Sequence, residues 1–122
     1  MTERGVVWVG SSLDDLRALP SEVRTAFGYA LYRAQIGATH PAAKPLRGFG
    51  GAGVLEVVEE HDGNAYRAVY TVRFAEAVYV LHVFQKKSTR GIATPAREMA
   101  TVRRRLRDAE ALHAAHAERN QR

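Results

Sequence analysis

The apolar run Val78-Tyr79-Val80-Leu81-His82-Val83-Phe84 leads straight into Gln85-Lys86-Lys87-Ser88-Thr89-Arg90-Gly91, and then into Thr94-Pro95. A near-continuous Val/Leu/Phe run of this length reads as a strand buried inside a sheet. The end of such a strand is a stiffer mount for charged groups than a free loop. The chain therefore delivers cations to a fixed place, an arrangement suited to an anionic ligand.

At 122 residues the chain is expected to form one domain with a single core of two packed layers. No stretch approaches the ~20 consecutive apolar residues of a membrane span, and the first residues lack the basic-then-apolar pattern of a secretion signal. A cytoplasmic protein with no membrane partner is expected. The absence of cysteine excludes disulfides, thiolate nucleophiles and zinc-thiolate sites together. Charge is unevenly placed: residues 1–85 carry 8 Lys/Arg against 9 Asp/Glu, or −1, and residues 86–122 carry 10 against 4, or +6. A one-sided positive field is the footprint of a protein that meets nucleic acid or an acidic partner, although it also serves solubility.

The pattern reads strand, helix, helix, strand, strand, strand, helix. Val6-Val7-Trp8-Val9 is a short strand, and Ser11-Ser12 before Leu13-Asp14-Asp15-Leu16 reads as a helix start with acids in its first turn. A second helix from Pro20-Ser21 carries a stripe of Val23, Phe27, Ala30, Leu31 and Ala34 and ends at Gly37. The proline- and glycine-rich segment 40–53 reads as a loop bearing Lys44 and Arg47. Strands are expected at 54–59, 65–74 and 78–85, with Asp62-Gly63-Asn64 as the first turn. Thr94 as N-cap and Pro95 at the first helical position open a basic helix over 94–122, striped by Met99, Val102, Leu106, Ala109 and Leu112. Beyond about residue 112 only small alanines continue the stripe, and fraying is expected there. The fold class is thus α+β: a small single domain, 1–122, with a mainly antiparallel sheet and the helices packed on one of its faces.

Strand alternation assigns faces. Tyr66, Ala68, Tyr70, Val72 and Phe74 point one way, toward the core, while Arg67, Val69, Thr71 and Arg73 point the other. A two-residue turn at Ala75-Glu76 pairs Arg67 with Phe84. Arg67, His82, Phe84 and Lys86 then share the face away from the core, and Tyr79, Leu81 and Val83 join the tyrosines. A three-residue turn sets Arg67 beside Gln85 and Lys87 instead.

Lys44-Pro45-Leu46-Arg47-Gly48, the Leu55-Glu56 strand, Tyr66-Arg67-Ala68-Val69-Tyr70, the 79–87 strand with its lysines, and Thr94-Pro95 resemble, in that order, the phage-related HigB-like branch of the RelE/HigB toxins. The resemblance covers roughly residues 5–110. It implies the toxin of a type II toxin–antitoxin pair: a ribosome-dependent messenger-RNA endonuclease with no cofactor, neutralised by a helix-turn-helix antitoxin. The chain departs from the family pattern at Val57-Val58-Glu59-Glu60, where many relatives carry a basic residue soon after the Leu-Glu pair.

Metal-free RNA cleavage needs removal of the 2′-hydroxyl proton, stabilisation of charge on the phosphorane, and protonation of the 5′-oxygen. Clustered Arg and Lys address the second need directly. Arg67 leads the candidates because its planar fork matches two phosphate oxygens. Lys86 and Lys87 follow, since crowding by cations eases loss of a proton and lets one of them act as base. His82 is the other candidate for proton transfer. Lys44, Arg47, Arg90, Arg103 and Arg104 are candidate RNA contacts.

Each residue also has a structural role open to it. Arg67 can pair with Glu56 or Glu59 across the sheet. His82 can be a satisfied core histidine, and Lys86-Lys87 a solvated edge pair. Arg103-Arg104-Arg105 can be a solvated helix face. Tyr66, Tyr70 and Tyr79 read as packing. Glu110, His113 and His116 have helical spacing suited to a metal but no second ligand-bearing segment, so no metal site is assigned. The other functional class compatible with the chain is a non-catalytic module that binds an antitoxin or nucleic acid.

Overall fold

The computed structural model describes residues 3–51, 53–86 and 94–120. Its elements are β1 (Gly5–Trp8), α1 (Ser12–Arg17), α2 (Ser21–Gln35), β2 (Lys44–Pro45), β3 (Val54–His61), β4 (Asn64–Thr71), β5 (Ala77–Lys86) and α3 (Ala96–Asn120). One sheet orders the strands β1-β5-β4-β3-β2, antiparallel apart from the parallel β1–β5 pair. The α+β domain and its mainly antiparallel sheet match the sequence reading. The two-residue β2 is an addition: within the segment read as loop, Lys44 and Pro45 pair with Glu56 and Leu55. The β3–β4 hairpin closes on Asp62 and Gly63, whose φ values of 50° and 77° are the left-handed pair that a tight, right-twisted hairpin demands.

The connection from β4 to β5 is not the tight turn expected. β4 ends at Thr71, and residues 72–76 form an irregular link before Ala77. Thr71 pairs with Tyr79 and Tyr70 with Val80, but Val69 pairs with His82, so Leu81 is an extra, bulged residue. The bulge returns the register to the one in which Arg67 faces Phe84.

A bulge breaks the two-residue alternation of its strand. Val78, Val80 and Val83 lie with Tyr66, Ala68 and Tyr70 on one face, and Tyr79, Leu81 and Phe84 lie with Val69 on the other. This corrects the expectation that Tyr79 and Leu81 join the tyrosines of β4; of that set only Val83 does. Phe74, past the end of β4, likewise belongs to the second face. Two apolar faces need two covers. The α2 stripe of Val23, Phe27, Ala30, Leu31 and Ala34 packs on the first, with Leu16 of α1 and Leu19 just beyond it. Val102, Leu106 and Ala109 of α3 pack on the second. The helices therefore cover both faces of the sheet, not one as the sequence pattern suggested. Tyr70 sits 1% exposed under α2, its hydroxyl pKa pushed up to about 12 by burial, so it serves packing.

The long helix α3 runs antiparallel to β5. Glu98 meets His82, Arg105 meets Leu81, and His113 lies against Phe74 with ring centroids 4.4 Å apart. Its start differs by a residue from the reading: the Pro95 carbonyl accepts the Met99 amide, and the Thr94 hydroxyl donates to Glu56. Ala109 is the last buried residue of α3 among those described, and Leu112 is 47% exposed. Deleting residues 114–122, none of whose described side chains is buried, is therefore expected to change unfolding free energy by no more than about 0.5 kcal/mol. Thermal unfolding of the truncated chain checks this; a drop of several degrees in Tm would assign the tail to the core.

Candidate functional site

Opposed residues of antiparallel strands share a face, and the register gathers the candidate residues accordingly. Lys44 is opposite Glu56, Glu56 opposite Val69, and Val69 opposite His82. One row along, Val58 faces Arg67 and Arg67 faces Phe84; in the next, Ala65 faces Lys86. Arg67, His82, Phe84 and Lys86 thus share one face, as alternation predicted. That face is not open, however: α3 begins across His82, which Glu98 meets. Arg67, His82 and Lys86 are 9%, 8% and 6% exposed.

Arg67 is held by Glu56, with Nη1 donating to Oε1 at 2.9 Å and both side chains largely buried. Glu59, the other partner left open by the sequence, pairs with Tyr66 and so lies on the opposite face. The second carboxylate oxygen of Glu56 accepts the Thr94 hydroxyl at 3.0 Å, which ties the residues leading into α3 to the sheet. Lys86 is diagonal to Arg67. Burial, and next the positive charge of Arg67, push its ammonium below the usual lysine pKa, against the opposing pull of Glu56. Desolvation and a neighbouring cation both disfavour a charged amine, so Lys86 yields its proton more readily than a surface lysine.

His82 has both ring nitrogens engaged. Nε2 lies 3.2 Å from Glu98 Oε2 and Nδ1 lies 3.2 Å from Arg105 Nη1. Since a guanidinium only donates, Nδ1 is the acceptor and the Nε2 proton points to Glu98. The ring stacks on Phe84, centroids 4.6 Å apart. Burial pushes its pKa below the ordinary histidine value and Arg105 adds to that, while Glu98 and Asp15 oppose. Arg105 also donates to the Leu81 carbonyl at 3.0 Å and to Ser11 Oγ at 3.0 Å, and Ser11 donates to Asp15 at 2.7 Å. Its guanidinium lies so close to Gly10, whose φ is 58°, that a Cβ there would stand 2.7 Å from Nε.

Arg105 is the residue that sequence reasoning missed. Grouped with Arg103 and Arg104 as a solvated face, it is instead half-buried and bonded to three residues, Leu81 and His82 on β5 and Ser11 in the turn between β1 and α1. The signal available was its position beside Leu106 on the apolar stripe. Arg103 and Arg104 are exposed, and Arg103 lies 5.8 Å over the Phe49 ring. Lys44, in β2, and Arg47, two residues beyond that strand, are exposed. Lys87 and Arg90 lie outside the described residues. The three residues with metal-like spacing diverge in part: Glu110 accepts Arg73 at 2.7 Å, while His113 is 3.7 Å from Glu76. Among the described residues no group of three or more His, Asp or Glu side chains is arranged to hold a metal ion, and no helix is long and apolar enough to cross a membrane.

Residues 14–107 match the family described as phage derived protein Gp49-like. Among solved structures, a doubly arginine-to-alanine substituted RelE toxin from E. coli, in the free state, is 25% identical over 68% of this chain and 82% of that one, with a TM-score of 0.52. The RelBE2 toxin–antitoxin complex from Mycobacterium tuberculosis is 23% identical over 72% of this chain and 97% of that one, with a TM-score of 0.46. No curated protein sequence matches the chain.

The His82 geometry generates a pH dependence. Its folded-state pKa lies below the unfolded value, so the unfolded chain takes up a proton first as pH falls through about 6.5, and the folded state loses stability until the ring protonates in place. The stability difference between the native chain and His82→Gln should therefore narrow between neutral pH and pH ~5. Denaturant unfolding across that range measures it; a constant difference would show that His82 has no depressed titration.

Proposed function

This chain belongs to the phage-derived Gp49-like family, a RelE/HigB-type toxin family, and from that membership we propose that it is the toxin of a type II toxin–antitoxin pair that halts translation by cutting messenger RNA on the ribosome. The observation that carries this reading is the diagonal pair of Arg67 and Lys86 on two central strands, one a preorganised guanidinium and the other an amine with a depressed pKa.

Arg67 supplies donors for the charge that develops on the phosphorane. Glu56 fixes its fork at 2.9 Å, and an RNA phosphate competes with that carboxylate for the guanidinium. Lys86, as the free amine, accepts the 2′-hydroxyl proton and returns it later as an acid. Lys87, next along the chain, backs up that role. His82 keeps a positioning role in this scheme: with both nitrogens engaged, it locks the first turns of α3 to β5 beside Lys86. No metal or other cofactor takes part. Lys44, Arg47, Arg90, Arg103 and Arg104 contact the RNA backbone. The antitoxin is a helix-turn-helix protein, and the exposed end of α3 is a surface for one of its segments.

A second reading is favoured by the acids in the cluster. Glu56 and Glu98 offset its cations, and Glu59-Glu60 stand near where relatives are basic. On that reading the chain is a binding module that captures an antitoxin or nucleic acid without cutting.

Cleavage of a translated messenger RNA in a purified translation system separates the two. Arg67→Ala should lower cleavage at least about a hundredfold, the ~3–4 kcal/mol of a lost transition-state donor. Because that change leaves Glu56 buried without its partner, the double variant Arg67→Ala/Glu56→Gln controls for folding and should be equally inactive. Lys86→Ala should give a comparable loss. Full cleavage by a folded Arg67 variant overturns the assignment, and an intact message with tight antitoxin binding by the native chain establishes the module.

The role of the basic helix is tested apart from the chemistry. Replacing Arg103 and Arg104 by glutamine, with Arg105 left in place as a structural tie, should lower the salt slope of ribosome or RNA binding by about one unit per lost phosphate contact. An unchanged slope would make these arginines solvated surface.

A further inference from the structure

The outer face of α2 points away from the sheet and is largely exposed. Of the four large apolar side chains exposed among the described residues, two are Tyr29 and Tyr32, 51% and 48% exposed. Between them and Arg24 lies Gly28, in the middle of the helix and exposed. Glycine disfavours helix interiors because it has the most backbone freedom to lose. Here nothing among the described residues calls for it: φ is not positive, and a Cβ built at Gly28 meets no atom within 4 Å. A bare backbone patch that the fold itself does not require is suited to close approach by another backbone.

The residues around it form a self-complementary set. Arg24, Gly28 and Tyr32 are spaced four apart and so lie in one row. When an identical helix crosses antiparallel with Gly28 on the two-fold axis, Arg24 of each copy falls on Tyr32 of the other. Each cation then meets an aromatic ring and not a second cation. Tyr29 flanks the row in a fixed pose, with Arg33 5.9 Å over its ring and the His40 ring 5.7 Å away at its edge. The one acid of α2, Glu22, has His61 within 3.7 Å on the sheet side, so it leaves the row uninterrupted.

We propose that the outer face of α2 is a self-association surface on which a second copy of this chain packs its own α2 antiparallel across Gly28. One helix pair buries less than the ~800 Å² per partner of a lasting dimer, so the association is a weak monomer–dimer exchange. It does not depend on the toxin reading.

Sedimentation velocity of the full chain over a dilution series into the high micromolar range tests this. The native chain should show concentration-dependent dimerisation. Gly28→Leu, which fills the gap with a good helix former, should weaken it by at least about tenfold without lowering Tm. Tyr32→Arg, which sets arginine against arginine, should weaken it similarly, and the combined Arg24→Tyr/Tyr32→Arg variant, which restores each pair in reverse, should recover it. In this cysteine-free chain, Gly28→Cys should form a disulfide dimer on oxidation. A chain that is monomeric throughout overturns the proposal. So does a dimer indifferent to Gly28→Leu, or a loss on Tyr32→Arg that the double variant does not restore.

Discussion

The bulge at Leu81 is the constraint from which the rest of the structure follows. Without it, strict alternation would turn His82 away from Leu81. With it, both Leu81 and His82 belong to the face under α3, and the Arg105 guanidinium spans the Leu81 carbonyl and the His82 ring. The same guanidinium reaches Ser11 in the turn between β1 and α1, where only a residue without Cβ leaves it room. Arg105 thus ties the last helix to the first strand–helix turn. Glu98, two turns earlier on α3, completes the attachment through the other side of the histidine.

The cluster beside that attachment is largely closed to water. Cations on a strand end would by themselves make a strongly positive, solvated patch. Arg67 and Lys86 are instead nearly buried, and acids accompany the cluster: Glu56 on Arg67, and Glu98 on the neighbouring histidine. Burial without compensation would be prohibitive for a charge, so the pairing with Glu56 is what allows an arginine to remain there. Lys86, buried beside it, has a lowered pKa. The held guanidinium and the amine with a lowered pKa share one physical cause, removal from water.

Much of this was legible in local pattern. The apolar run of β5, the helical stripe of α2, the Asp62-Gly63 hairpin and the grouping of Arg67 with Phe84, His82 and Lys86 all depend on periodicity within a short window, and each appears in the structure. The order of motifs also pointed to the RelE/HigB toxins, the family to which the chain belongs. What local pattern misjudged were features decided elsewhere in the chain. Nothing between Tyr79 and Val83 marks Leu81 as the bulged residue, since every residue there is buried. Arg105 looked like its neighbours Arg103 and Arg104 because its partners, Gly10, Ser11, Leu81 and His82, are distant in sequence.

The amino-acid sequence by itself determined the elements, the mainly antiparallel sheet and the face on which the candidate residues meet, because side-chain periodicity and turn chemistry act over a few residues. Only the tertiary structure decided that a second helix covers that face, that Glu56 and not Glu59 holds Arg67, and that His82 is enclosed by Glu98, Arg105 and Phe84. Those outcomes depend on strand register and on the packing of α3 across the sheet, where one inserted residue changes which side chains share a surface.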